Sequence, residues 1–411
     1  MDLIIRNAQL RNRPTPVDIG VGDGRIVSMA DHLAETGDLT IDAGGMLVTE
    51  SFANPHLHLC KVYTLDRMDE LALADYHGGQ MGKAMNAIEL AARVKADYDE
   101  EWILPNARKA LALAALHGNT HIRAFADVDP KAGLEGVKAL LRLRDELAGT
   151  VDLQVVAFAQ DGLNREPGAS ALMHRAMELG ADVVGGIPWI EFTEADEQAH
   201  VDEVFDLAVE FDKPVSMLVD DAGDPGLRTL EMMAVKAIET GWQGRALAHH
   251  ARAMALYPKP YLQKVAALLR EAGMGVVTDP HTGPLHARVG ELLDDGVLVC
   301  LGQDDVSDAY YPFGRNNMLE VAFLAVHLLW MTTAADMEQV YSMVTTDAAA
   351  AMGLTDFRLE VGAPAHLVVL GEPDVREALR NHAAPLHVIS HGRVVDQSAM
   401  QAIVDADGQG G

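Results

Sequence analysis

Ala53-Asn54-Pro55-His56-Leu57-His58-Leu59-Cys60-Lys61 follows an apolar run, Met46 to Phe52, that reads as a buried strand. Side chains two apart on an extended backbone share a side, so His56 and His58 point the same way. Neutral imidazole is the commonest protein ligand for a divalent transition metal, and two from one strand end supply half of a tetrahedral or five-coordinate site. Taken alone, a His-x-His more often marks loop histidines bonded to backbone. The rest of the chain decides between the two readings.

Downstream, Ile88 to His117 is Ala-rich with apolar spacing near 3.6, which predicts a long helix. Short β-like runs then recur, each followed by a helical segment. They are Thr120–Arg123, Leu153–Phe158, Ala181–Gly186, Pro214–Val219, Arg245–His250, Met274–Thr278 and Val297–Gly302. With the first strand these make eight, nearly continuous in apolar residues, as parallel strands buried on both faces are. Eight such βα units predict an α/β fold, a TIM-like (β/α)8 barrel over 46–359. A doubly wound sheet is the alternative, but Gly22-Asp23-Gly24 is a hairpin turn with no helix after it and is no dinucleotide fingerprint.

The two ends differ from this middle. Leu3–Ile5, Val17–Val21 and Arg25–Val27 resemble in texture His366–Leu370, Pro385–Ser390 and Gly392–Val395. Residues 1–45 and 360–411 are therefore expected to pair into one small β-sandwich-like domain, with Asp405 to Gly411 frayed.

Composition narrows the function. A net charge of -29 over 411 residues argues against nucleic acid and anionic membrane, whose phosphates call for Lys and Arg. The N-terminus does not read as a signal peptide, and Val321 to Met331, the longest apolar stretch, is too short to span a bilayer. Two cysteines, Cys60 and Cys300, imply no disulfide framework. A soluble cytoplasmic protein acting on a small molecule is expected, and a homo-oligomer is compatible with all of this.

Barrel enzymes carry their chemistry at the C-terminal ends of the strands. There stand His56 and His58, Gln160-Asp161, Asp220-Asp221, His249-His250, Asp279 with His281, and Asp304-Asp305. Solubility alone does not explain so many polar residues on one rim.

The chain resembles the amidohydrolase superfamily and, within it, the cytosine deaminase-like group, which includes triazine side-chain hydrolases. The likeness rests on Pro55-His56-Leu57-His58-Leu59, on Gln154 to Gly162 and on Leu301-Gly302-Gln303-Asp304-Asp305-Val306 leading to Tyr311-Pro312-Phe313-Gly314. It implies that His56, His58 and Asp304 ligate one divalent metal, zinc or iron with manganese also suited. It also implies that His250 orients water or an oxyanion and that Gln160 contacts a heterocyclic substrate. Lys61, Asp305 and Tyr310 are expected beside that substrate, where Tyr310 and Trp189 are placed to stack on a planar ring. Such a metal acidifies water for attack on an electron-poor ring carbon, and a carboxylate delivers the proton to the departing nitrogen. Asp304 and Asp221 are the catalytic carboxylates on this reading, although Asp221 also reads as a turn residue of Asp220 to Pro225.

The chain departs from the family pattern at several positions. Leu218 stands where a third ligating histidine is expected, Cys60 where an acid follows the second histidine, Phe125 where strand 2 often ends in histidine, and Gln303 before the paired aspartates. His249, His250, Asp220 and His281 are the residues available to replace the missing imidazole. Cys60 reads as a soft ligand, a nucleophile or a small core residue. Two functions follow: a metal-dependent hydrolase of a C–N bond on a pyrimidine, triazine or pterin, or a member that has lost this hydrolysis and acts without metal or as a binding protein.

Overall fold

In the computed structural model, which describes residues 1–67, 92, 94–95 and 97–406, the chain opens with four strands. They are β1 (Leu3–Ala8), β2 (Val17–Gly22), β3 (Arg25–Ala30) and β4 (Leu39–Asp42), in the order β3-β2-β1-β4. Asp23 and Gly24, both at positive φ, form the two-residue turn between β2 and β3 that matches the twist of a hairpin. The run Met46 to Phe52 is not one strand. Ser51 divides it into β5 (Val48–Glu50), which leaves for the small domain, and β6 (Phe52–Leu57), which enters the barrel.

Eight parallel strands follow one another around the barrel in chain order: β6, β7 (Asn119–Asp127), β8 (Asp152–Phe158), β9 (Val183–Gly186), β10 (Val215–Val219), β11 (Ala246–His250), β12 (Gly275–Thr278) and β13 (Val299–Leu301). Seven of the eight coincide with apolar runs read from the sequence, because strands covered on both faces need no alternation, while the first, read as Met46 to Phe52, shares only Phe52 with β6. The ring closes between β13 and β6 through a single bridge, Leu57 to Asp304. There the Asp304 N–H donates to His56 O at 3.0 Å and the His58 N–H to Asp304 O at 2.8 Å. Gly302 permits the approach, since a Cβ there would lie 2.7 Å from Cβ of His56.

The C-terminal strands β14 (Leu367–Val369), β15 (His387–Ser390) and β16 (Arg393–Val394) join β5 in the order β16-β15-β14-β5. The ends thus form two four-stranded sheets, with Leu3, Ile5 and Ile19 of the first sharing a core with Val48, Leu367 and Ile389 of the second.

The long helical region is interrupted at 97–99: residues 92, 94 and 95 are helical, and a new helix, Glu100–Leu116, starts at Asp99, which caps it by accepting from the Trp102 N–H at 2.6 Å. The start of the expected helix, 88–91 with 93 and 96, lies outside the described residues, as do 407–411 of the expected frayed tail. Asp405 and Ala406, expected to be frayed, instead end a helix, Gln397–Ala406, that lies against Glu100–Leu116. Among the described residues no helix is long and apolar enough to cross a membrane.

Candidate active site

His56, His58, His250 and Asp304 meet at the C-terminal mouth of the barrel. His56 ends β6 next to Leu57, His58 follows it, His250 closes β11, and Asp304 follows β13. His250 and Asp304 both take φ of 67°, a left-handed backbone uncommon outside glycine that is found where surrounding structure enforces it. Around Asp304 Oδ1 stand His56 Nε2 at 3.0 Å, His58 Nε2 at 3.7 Å and His250 Nε2 at 4.0 Å. Phe125, at the position where a strand-2 histidine is common, packs its ring 4.5 Å from that of His56 and 5.3 Å from that of His58. Burial pushes both imidazoles to lower pKa and keeps them neutral. Burial alone would raise Asp304, but His250 and His56 hold it well below the usual carboxylate range.

Neutral imidazoles around one ionised carboxylate are the donor chemistry of a divalent-cation site. Two sets have ligand atoms within 4.8 Å of one another, His56 with His250 and Asp304, and His58 with Asp304 and Asp305. The residues therefore fit such an ion.

The fourth-ligand candidates separate cleanly. Asp220 is engaged by Thr229, 2.7 Å away, and by the Tyr257 hydroxyl. His281 Nε2 faces Gln303 O at 3.3 Å, and His249 Nδ1 faces His56 Nδ1 at 2.8 Å. His250 alone of the four turns to Asp304. Simple strand alternation would send His249 and His250 to opposite faces, yet their ring centres lie 4.6 and 4.8 Å from that of His56. The left-handed backbone of His250 breaks the alternation. Leu218, cross-strand from His249, is packed with Phe125, Val156 and Trp189 in an apolar cluster.

One residue of the site is silent in the sequence pattern. Arg252, buried just past β11, donates to Asp221 Oδ1 at 2.8 Å and to Asp279 Oδ2 at 2.7 Å, and stands 3.6 Å from Asp304 Oδ2. Asp279 in turn receives Nδ1 of His250 at 2.8 Å, while Asp221 Oδ2 lies 3.9 Å from its Nε2. Burial works against a charged His250, but Asp221, Asp279 and Asp304 outweigh it and lift its pKa to about 9. Burial raises Asp221 as well, with Arg252 opposing. Arg252→Met removes the cation these acids share. It is expected to cost roughly 3–5 kcal/mol of stability in urea unfolding at pH 7, part of it recovered by added zinc. A loss below about 1 kcal/mol would show that the acids do not depend on Arg252.

A cleft of about 430 Å³, its open mouth included, leads to this centre, and Lys61, Gln160, Trp189, Leu218, Asp305 and Tyr310 line it. Every residue expected near a substrate is thus on one wall system. Lys61 Nζ donates to Gln160 Oε1 at 3.2 Å, sits 3.8 Å from Asp305 Oδ1 and lies 4.2 Å above the Tyr310 ring. A second buried lysine, Lys95, bridges Asp161 at 2.7 Å, Asp129 at 3.1 Å and Asp127 at 3.5 Å at the ends of β7 and β8, and nothing in the sequence pattern marks it. Glu191 ties the segment after Gln160 to the Trp189 turn, accepting from the Leu163 N–H and from buried His200, each at 2.7 Å. Cys60 is a core residue. Its thiol is buried, receives the Asp127 N–H at 3.3 Å, and is pushed by burial far from a thiolate.

The amidohydrolase family model matches residues 39–396. The chain is 30% identical over 397 residues to N-isopropylammelide isopropyl amidohydrolase of Pseudomonas sp. (strain ADP), covering 96% of this chain and 97% of that protein. It is 26% identical over 402 residues to a pterin deaminase of Rhizobium rhizogenes, with 93% and 88% of the two chains covered. Among solved structures it superposes on 5-methylcytosine deaminase from Klebsiella pneumoniae liganded with 5-fluorocytosine, with a TM-score of 0.87, 31% identity and 95% and 97% coverage.

Proposed function

This chain belongs to the amidohydrolase family and acts on C–N bonds other than peptide bonds; from that premise we propose that it removes an amino or alkylamino group from a pyrimidine, triazine or pterin ring. The names of its relatives support a heterocyclic substrate. The observation that carries the proposal is the gathering of three imidazole Nε2 atoms around Asp304 Oδ1 at the end of the cleft.

His56, His58 and Asp304 would hold one divalent ion, with His250 facing it. Bound there, zinc, iron or manganese would acidify water and polarise the ring carbon under attack. The chain's own residues do the rest. Asp279 fixes His250 at Nδ1, so that Nε2 faces the reacting atoms. Asp221, aimed by Arg252 and raised by burial, suits the transfer of a proton to the departing nitrogen. Lys61 and Gln160 offer donors to the ring edge, Tyr310 and Trp189 offer flat faces, and Phe125 and Phe158 keep water from the histidines.

Amino- and alkylamino-heterocycles incubated with chelated and with metal-supplemented protein, assayed for ammonia and alkylamine, test this reading. Turnover restored by one equivalent of metal is expected. Substrate binding without release of amine in either form would favour the second reading, a member that has lost hydrolysis, to which Leu218 lends support.

A further inference from the structure

His249 is fully buried, and its Nδ1 lies 2.8 Å from Nδ1 of His56. Two neutral imidazoles meeting in this way share one proton, because one nitrogen must donate and the other accept. Each neutral ring carries a single N–H, so the choice also fixes both Nε2 atoms.

In the first arrangement His249 Nδ1–H donates to His56, and His56 Nε2–H donates to Asp304 Oδ1, 3.0 Å away. His249 Nε2 is then a bare lone pair. In the second arrangement His56 Nδ1–H donates to His249, and His56 Nε2 becomes a lone pair able to bind a cation. His249 must then carry its proton on Nε2, which finds no hydrogen-bond partner among the described residues. Leu218 stands opposite it on β10, and the Phe125 ring is 5.1 Å away. A buried N–H without an acceptor is rarer and more costly than a bare acceptor.

We infer that His249 is a positioning residue that holds His56 in the tautomer facing Asp304, and that cation uptake at His56 requires both rings to change tautomer. The inference rests on the proposed metal site. Its protons balance: the His249 Nδ1 proton crosses to His56 Nδ1, the His56 Nε2 proton is released, and His249 Nε2 takes one up. The coupling opposes loading without removing a ligand, so the site is tuned toward weak, reversible binding.

The test combines tautomers with affinities. In [15N]histidine-labelled protein, His56 is expected to be Nε2-protonated after chelation and Nδ1-protonated with zinc, with His249 changing in the opposite sense. His249→Ser supplies a hydroxyl that donates or accepts, with space for water, so it should bind zinc roughly tenfold more tightly in competition with a fluorescent chelator. His249→Phe keeps the bulk but gives His56 no acceptor, and should bind no more tightly than the natural protein. Matching melting curves establish that both variants fold. Equal zinc affinity in the natural protein and His249→Ser, or unchanged tautomers on loading, overturns the coupling while leaving the metal reading intact. Absence of binding in all three forms overturns both.

Discussion

His250→Ala is expected to lower kcat by roughly a thousandfold, the scale of a lost general acid–base group, while leaving a folded protein. The ring is held at Nδ1 by Asp279, and its other nitrogen faces Asp304 and Asp221. Because the residue ends β11 and does not fill the core, alanine there opens the cleft without unseating a strand. The same substitution carries a pH signature. In the cation-free protein the pKa of His250 is raised from 6.5 to about 9. Its contribution to stability is therefore complete below about pH 6.5 and lost as the pH rises through 9. Urea unfolding of chelated protein should show that decline, and His250→Ala should flatten it. Turnover unchanged in a folded variant would sink the mechanism.

Leu218→His should act in the opposite direction and raise zinc affinity at least tenfold, on the scale by which metal sites respond to changes in their ligand surroundings. Leu218 lines the cleft with His58 and His250, so an imidazole there is carried toward the same centre. The cation-free variant should lose on the order of 1–3 kcal/mol, since it places a polar ring among Phe125, Val156 and Trp189. Zinc should return that loss. Metal content after dialysis against a graded chelator reads the affinity. Equal retention by both proteins would mean that β10 no longer contributes to the centre.

The barrel was legible because its strands are apolar throughout, a pattern that needs no knowledge of what packs on either side. His56, His58, Gln160, Asp221, His250 and Asp304 were legible as polar residues where such runs stop. Arg252 was not, since a guanidinium two residues past a strand looks like any surface arginine until Asp221 and Asp279 are brought to it from other strands. Lys95 was hidden for the same reason. The break at Ser51 was masked because β5 and β6 are both buried, and burial is what an apolar run records. The paired approach of His249 and His250 depends on a single backbone angle at His250, which residue type does not announce.

The bridge that closes the barrel also has a kinetic meaning. Leu57 and Asp304 pair across more than half the chain, and the backbone bonds that flank them belong to His56, His58 and Asp304 themselves. Bringing β13 to β6 demands a large loop closure, so the centre cannot assemble before the last seam of the ring is sealed. Local opening at that seam would separate His56 from Asp304 while most of the barrel stays folded. Amide exchange at His58 and Asp304 should thus report the competent fraction directly, and a ligand spanning the histidines and Asp304 would slow it before any change reached the distant helices.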